Sequence, residues 1–321
     1  MSRMVNGKIK KFMATAISFV MLATMSGCGD KQVRDTSKVQ IIATLFPQYD
    51  FARQIGGDKV EVTMLLSPGM ESHSFDPTPS DIVSINKSDL FIYTGEYMET
   101  WADTIIDSID EKNVSVLDVS KGIKLDKEEH EDEEHDHEHD TDEHYHEYEP
   151  HIWTSPINAM QMVDNILEAL VEIDPENEVY YTDNANNYKD ELTKLDEEFR
   201  EVVAQANRTD IYFGGRFAMY YFAKEYGLNC IAAYDSCSSE TEPSAGQVAN
   251  IIDSMKEHNA KVVFHEELVN PQVATTIAEA VDGKTLLLHS CHNVSKEEFE
   301  NGVTYIDLMK QNVINLEEGL K

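Results

Sequence analysis

A long amphipathic segment in the middle of the chain constrains the fold more than any other feature. Between residues 174 and 206, apolar side chains recur at steps of four and three, at Tyr181, Ala185, Tyr188, Leu192, Leu195, Phe199 and Val202. Asp174 and Pro175 stand where a helix N-cap and a first helical residue are expected. The spacing predicts one helix with a narrow buried stripe, on the order of 45 Å long at about 1.5 Å per residue. Such a helix either connects two folded units stiffly or pairs with a second copy as a coiled coil.

Short apolar runs alternate with amphipathic stretches on both sides of this connecting helix. Before it, the pattern predicts strands at residues 38–45, 59–66, 90–93 and 114–118, and helices at residues 49–55, 80–86, 98–109 and 157–173. After it, strands are predicted at residues 210–213, 230–234, 262–265 and 285–288, and helices at residues 217–226, 243–258, 271–281 and 303–320. Alternation of this kind implies parallel sheets covered on both faces. We therefore predict an α/β fold with two halves, residues 38–173 and 207–321, joined by helix 174–206.

The chain is strongly acidic, with a formal net charge of −34 over 321 residues. A charge of this size argues against nucleic acids and anionic membrane surfaces as partners, and it favours cations or basic partners. The hydrophobic fraction of 41% is that of a globular protein, and the length suffices for two modest domains.

The first 27 residues have the pattern of an export signal. Basic residues at positions 3, 8, 10 and 11 precede a short apolar run at residues 12–25, and small residues then precede Cys28. This arrangement resembles the lipobox of bacterial lipoproteins, which predicts lipidation of Cys28 and a polar tether at residues 28–37. An ordinary secretory signal with an incidental cysteine is the alternative.

Three cysteines remain beyond Cys28, namely Cys230, Cys237 and Cys291. Export permits a disulfide. Cys230 lies inside an apolar run and is expected to be a buried hydrophobic residue. Cys237 and Cys291 each follow a strand-like run, so we predict a disulfide between them. A thiolate metal ligand is the alternative role.

An acidic, histidine-rich tract at residues 128–149 interrupts the first half. Its histidines are His130, His135, His137, His139, His144 and His146, and Lys and Arg are absent from it. With almost no aliphatic residues, it cannot bury enough apolar surface to order itself, so we predict a mobile, disordered loop at residues 126–149. Imidazoles suit zinc, nickel and copper. We expect weak auxiliary metal sites here; a merely solvated acidic run is the alternative.

Further candidate ligands lie just beyond predicted strand ends, where parallel sheets place their binding sites. In chain order these are His73, His151, Arg216, His265, Glu266, Glu267, His289, Cys291 and His292. A lone histidine at such a place is more often structural than functional. Several from both halves favour a metal held between the halves.

Several stretches together carry a family resemblance. They are SHSFDPTPSDI, TGEYMETW, the acidic histidine-rich tract, EPHIWTSP, YYFAKEYGL, TEPS and TYIDLMKQN, in this order. The chain resembles the zinc-type metal-binding lipoproteins of bacterial ABC importers. The resemblance covers residues 38–321 and implies two Rossmann-like lobes joined by one long rigid helix, with a metal in the cleft between them.

The resemblance also implies a set of ligands. His73, His151 and Glu266 match ligand positions, with Glu267 as the near alternative to Glu266. The third ligand position falls on Arg216, which departs from the family because a guanidinium has no lone pair to offer. Either His265, His289, His292 or Cys291 completes a tetrahedral site, or the site is weaker or binds something else. We favour completion by one of these side chains.

The resemblance implies an extracytoplasmic receptor, anchored to the cell membrane by lipid, that captures Zn²⁺ as its transported ligand. Its expected partners are an ABC permease and its ATPase, and it is expected to be a monomer without enzymatic activity. The alternatives are a receptor for manganese or another divalent metal, a metal-buffering surface lipoprotein without a transport partner, and a zinc hydrolase.

Overall fold

The computed structural model describes residues 37–70, 75–109, 113–127, 148–234 and 243–321, and Lys38–Lys321 forms one compact unit. The predicted export signal, Cys28 and the rest of the tether up to residue 36 therefore lie outside the described residues. So do His73, Cys237 and the histidines of the acidic tract. Among the described residues, none of the helices has both the length and the hydrophobicity of a membrane span.

The first lobe alternates strands and helices in the predicted order. Its elements are β1 (Val39–Ala43), α1 (Phe46–Gly56), β2 (Val60–Met64), α2 (Pro79–Ile85), β3 (Leu90–Tyr93), α3 (Ala102–Ile106), β4 (Ser115–Asp118) and α4 (Pro156–Ile173). Helix α4 begins one residue before the predicted 157–173, with Pro156 in its first turn and the Ser155 side chain accepting from the backbone N–H of Asn158. Helix α3 is shorter than the predicted 98–109.

The connecting helix and the second lobe follow. They comprise α5 (Glu178–Ala204), β5 (Asp210–Phe213), α6 (Tyr220–Tyr226), β6 (Asn229–Ala232), α7 (Ala245–Glu257), β7 (Val262–His265), α8 (Gln272–Ala280), β8 (Lys284–Leu287), α9 (Lys296–Glu300) and α10 (Tyr305–Gly319). Helix α9 was not predicted, although Ser295 and Glu298 form a capping box at its start.

Each lobe contains a four-stranded parallel sheet, with strand order β2-β1-β3-β4 in the first and β6-β5-β7-β8 in the second. In the first sheet Ile41 of β1 is in register with Val62 on one side and Leu90 on the other. The predicted fold class is confirmed. In both sheets the chain reverses its winding beside the first strand, and loops at the carboxyl ends of the strands are the expected place for a ligand.

Helix α5 packs along both lobes through its predicted stripe. Six of the seven stripe residues are buried, and Val202 is half-buried. The helix packs against α1, α4 and α10 of the same chain, so the stripe is used within the monomer and the coiled-coil alternative is not needed to bury it.

The start of the connecting helix differs from the prediction. A 3₁₀ turn at Pro175–Asn177 precedes α5. The Asp174 side chain does not cap the backbone; it accepts hydrogen bonds from the Tyr181 hydroxyl and from Asn177 Nδ2, each at 2.7 Å. The Tyr181 hydroxyl needs a partner at the lobe interior, and Asp174 supplies it.

A buried carboxylate links the two lobes and the connecting helix. Asp50 of α1 is fully buried, and its Oδ2 accepts from the backbone N–H of Tyr305 at 2.7 Å and from the Tyr188 hydroxyl at 3.3 Å. Burial, and then the charge of Asp50, raise the pKa of Tyr188 well above its ordinary value. Asp50 thus ties the first lobe to both α5 and α10.

Candidate metal centre

His151 is held rigidly at the edge of the first lobe. It precedes the 3₁₀ turn Ile152–Thr154 and is fully buried. Its Nδ1 contacts Oε1 of Glu149, which also accepts from the His151 backbone N–H at 3.0 Å. Because a carboxylate only accepts, this contact places the proton of the neutral ring on Nδ1 and the lone pair on the buried Nε2.

The segment that carries Glu149 is part of the fold. The Glu149 backbone N–H donates to Asp126 O at 2.9 Å, and residues Lys127 and Tyr148 form an antiparallel bridge. The Tyr221 hydroxyl of α6 donates to Glu149 O and accepts from the Asp126 N–H, both at 3.0 Å. The predicted disordered loop at residues 126–149 was therefore too long at both ends.

His292 of the second lobe meets His151 of the first. Their ring centroids lie 4.4 Å apart at an interplanar angle of 83°. The indole of Trp153 packs edge-on against both rings, at 5.5 Å from His151 and 5.0 Å from His292. The structure thus brings together two predicted candidates from different lobes.

Trp153 joins the lobes at this point. Its Nε1 donates to Ser290 O at 2.8 Å, and its own carbonyl accepts from the Tyr305 hydroxyl at 2.6 Å. Trp153 is fully buried. Nothing in the sequence pattern singled it out, although it lies two residues beyond His151 in the EPHIWTSP stretch.

His289 has the opposite hydrogen-bond arrangement from His151. Its Nδ1 accepts from the backbone N–H of Cys291 at 2.9 Å. The proton of the neutral ring therefore lies on Nε2, and neither nitrogen offers a lone pair to a cation. The His289 backbone is held by the amide of Asn312, at 2.7 and 2.8 Å. This geometry is that of a structural residue.

Cys291 is buried and lies in the left-handed region, with φ of 63°. Its sulfur makes no disulfide with another described residue, and burial raises the pKa of the thiol well above the ordinary value. Since metals bind the thiolate, this environment disfavours Cys291 as a ligand. Its proposed disulfide partner Cys237 lies outside the described residues, and the disulfide stays a prediction. Cys230, which was expected to be buried, is half-buried.

The acidic candidates after β7 have separate positions. Glu267 accepts from the Ser290 backbone N–H at 2.8 Å and from its hydroxyl at 2.6 Å. Glu266 lies beside Gly215, the residue before Arg216. A Cβ atom placed on Gly215 would be 3.9 Å from Oε1 of Glu266. His265 Nδ1 donates to Glu266 O at 2.9 Å. Arg216 itself is half-buried.

A metal site is incomplete within the described residues. In that part of the chain no three His, Cys, Asp or Glu side chains come together in a way that would hold a metal ion. His73, a ligand by resemblance, is among residues 71–74, which are not described. The turn before it is attached to the second lobe, because Gly69 N–H donates to Val294 O at 2.8 Å.

A cavity of about 290 Å³ lies at the carboxyl ends of β3 and β4. Pro150 and Ile152, which flank His151 in the sequence, contribute to its lining. Its lining includes the carboxylates of Glu96, Asp103 and Asp118. Burial, and then Asp118 and Asp103, raise the pKa of Tyr93 in this cavity to about 12. The surroundings of His151 in the first lobe are therefore negatively charged, which favours the approach of a cation.

Comparison with known proteins places the chain in a family. The family model of ZnuA, zinc-uptake complex component A, periplasmic, matches residues 41–319. The chain is 38% identical over 307 residues to the high-affinity zinc uptake system protein ZnuA of Bacillus subtilis (strain 168), with 95% of each protein covered. It is 30% identical to the zinc-binding lipoprotein AdcA of Streptococcus pneumoniae, over 97% of this chain and 60% of AdcA.

Solved structures agree with this assignment. The metal-dependent lipoprotein YcdH from Bacillus subtilis superposes with a TM-score of 0.75 at 35% identity, covering 88% of this chain and 99% of YcdH. The Zn(II)-bound ZnuA-like domain of Streptococcus pneumoniae AdcA superposes with a TM-score of 0.73 at 27% identity, with the same coverage. With sequence, topology and superposition in agreement, this chain is a member of the ZnuA family of zinc-uptake components.

Proposed function

We propose that this protein is an extracytoplasmic receptor that binds Zn²⁺ between its two lobes and delivers it to an ABC permease and its ATPase. The observation that carries the proposal is the contact of the buried His151 with the half-buried His292, which brings one imidazole from each lobe to the same point. Family membership supports the transport role, because the related proteins are named for zinc uptake and zinc binding.

We assign His73, His151 and His292 as the ligands. His73 enters from the resemblance, and His292 replaces the ligand that Arg216 cannot provide. Three imidazoles suit Zn²⁺, which takes nitrogen ligands in tetrahedral geometry. Glu266 remains the candidate for the fourth position. Manganese prefers oxygen-rich sites, so the imidazole set favours zinc over the manganese alternative.

The receptor is proposed to act without catalysing a reaction. It is anchored to the membrane through Cys28, and the histidine-rich tract holds additional zinc weakly beside the cleft. We propose that the monomer is the active form, because α5 buries its apolar stripe within one chain.

Chelator competition with zinc and with manganese tests the assignment. We expect one tight zinc equivalent and much weaker manganese binding. His151→Ala and His292→Ala should each weaken the tight zinc equivalent by at least about 100-fold, beyond the loss typical of outer-shell partners. His258→Ala is the matched control, since His258 is half-exposed and bonds to Tyr212 at 3.0 Å in the second lobe. Unchanged zinc affinity in both cleft variants would refute the assignment.

A further inference from the structure

Three side chains of the second lobe are linked by hydrogen bonds in a series that ends at His292. Glu267 follows β7, while Ser290 and His292 follow β8. The two strands are neighbours in the sheet and run parallel, with His265 opposite Leu287. Their carboxyl-end loops therefore meet, and the Glu267 side chain is only 8% exposed there.

The distances determine which atom donates in each bond. Ser290 Oγ lies 2.6 Å from Glu267 Oε1 and 2.9 Å from His292 Nδ1. A hydroxyl carries one proton, and an ionised carboxylate only accepts. The hydroxyl proton therefore goes to Glu267, and the oxygen of Ser290 accepts from Nδ1 of His292. It follows that the neutral His292 ring carries its proton on Nδ1 and its lone pair on Nε2.

The neutral His151 ring has the same tautomer, because its Nδ1 contacts the Glu149 carboxylate directly. His289 has the reverse arrangement, because its Nδ1 accepts from a backbone N–H. The rings of His151 and His292, which contact each other across the lobes, therefore both have their lone pair on Nε2. Histidines that bind metals generally donate their other N–H to a carboxylate or a similar acceptor.

We infer that Glu267 is a positioning residue for metal binding, which acts through Ser290 to hold the His292 proton on Nδ1 and to leave Nε2 as the coordinating atom. This role replaces the direct ligation expected for Glu267 as an alternative to Glu266. The inference rests on the proposed function for the cation, whereas the tautomer of His292 is a property of the metal-free protein.

Glu267→Gln tests the inference by reversing the hydrogen bonds. The amide oxygen would accept from the Ser290 N–H, so the amide NH₂ would donate to Ser290 Oγ. The hydroxyl proton would then turn to Nδ1 of His292, and the ring proton would move to Nε2. We expect ¹⁵N NMR shifts of His292, assigned by comparison with His292→Ala, to show the exchange of tautomers without metal. We expect zinc affinity to fall by about 10–100-fold.

Glu298→Gln is the matched control. In the capping box of α9, Oε2 of Glu298 accepts from the Ser295 backbone N–H at 2.8 Å and from its hydroxyl at 2.7 Å. Glu298 thus bonds to the same two groups of a serine as Glu267 does, although with a single oxygen. This variant should change neither the His292 tautomer nor zinc affinity.

The outcomes separate the two claims. A proton on Nε2 of His292 in the unmodified, metal-free protein would overturn the inference without any variant. Unchanged tautomer and affinity in Glu267→Gln would also overturn it. A changed tautomer with unchanged affinity would instead overturn the assignment of His292 as a ligand, and with it the metal-binding role of Glu267. Ser290→Ala, which removes the hydroxyl and leaves Glu267 intact, should weaken zinc binding similarly.

Discussion

His151 and His292 contact each other ring to ring across the two lobes, with centroids 4.4 Å apart and planes at 83°. The first lobe supplies His151, and the second lobe supplies His292. A cation held by both imidazoles would therefore bind the lobes to each other, and its affinity should depend on every contact that sets their relative position. Substitutions at those contacts test this dependence.

Trp153→Phe should weaken the junction of the lobes. The variant loses the bond from Trp153 Nε1 to Ser290 O and leaves a buried carbonyl unsatisfied. We expect the free energy of unfolding to fall by about 1–3 kcal/mol, as measured by urea denaturation. Trp101→Phe is the control, because Trp101 is half-buried and contacts Phe75 edge-on at 5.9 Å within the first lobe. An equal loss in both variants would contradict a special role for Trp153.

Asn293→Ala should impair both stability and zinc binding. Asn293 Nδ2 donates to Ser67 O at 2.8 Å and to Met70 O at 2.9 Å, which attaches the turn before His73 to the residue after His292. Asn165 makes the same type of bonds to Val119 O and Lys121 O, both at 2.9 Å, inside one lobe.

Both alanine variants should lose about 1–3 kcal/mol of unfolding free energy, since each loses two side-chain hydrogen bonds to backbone carbonyls. Only Asn293→Ala should also weaken zinc binding, as measured by chelator competition. If Asn165→Ala weakens zinc binding as much, the effect is one of general stability and not of the link between ligand loops.

The sequence predicted the sheets and the connecting helix well because both depend on local periodicity. Apolar runs such as Val262–His265 become strands as expected, and the stripe on α5 is buried as its spacing indicates. The exact role of Asp174 was missed because a side chain seven positions away, Tyr181, competes for its carboxylate.

The choice between His289 and His292 could not be made from the stretch LHSCHN. The two rings differ in which nitrogen is protonated, and this is decided by a backbone N–H in one case and by Ser290 with Glu267 in the other. Glu267 is far from His292 in the sequence, and only the pairing of β7 with β8 brings them together.

Glu99 should make stability depend on pH. The residue is 2% exposed, and its carboxyl accepts from Thr44 Oγ1 at 2.5 Å and from the Thr94 backbone N–H at 3.0 Å. Burial raises its pKa from 4.5 to about 7, against the lowering effect of these hydrogen bonds. The folded state therefore binds more protons than the unfolded state between these values, and stability from this group is present below pH 4.5 and lost as the pH rises to about 7.

The loss is on the order of 3 kcal/mol for a shift of this size. Glu99→Gln should remove this part of the pH dependence, as measured by urea denaturation between pH 4.5 and pH 8. Glu96→Gln, at an exposed neighbour, should leave the pH profile as it is. If stability of Glu99→Gln depends on pH as it does in the wild-type protein, Glu99 is not the source of this pH dependence.

Removal of residues 128–147 should abolish weak zinc equivalents and keep the tight one. This deletion retains Glu149, whose carboxylate orients His151. A longer deletion, of residues 128–149, should in addition weaken the tight equivalent by about 10–100-fold. Calorimetry of both variants measures stoichiometry and affinity together. Unchanged stoichiometry in the shorter deletion would show that the tract does not bind zinc.

The position of the bound cation shows whether the two lobes share one metal site. Anomalous diffraction at the zinc edge, from crystals of the zinc-loaded protein, should give one strong peak at about 2.0–2.1 Å from Nε2 of both His151 and His292. A strong zinc peak elsewhere, with none between these two rings, would contradict a metal site shared by the lobes.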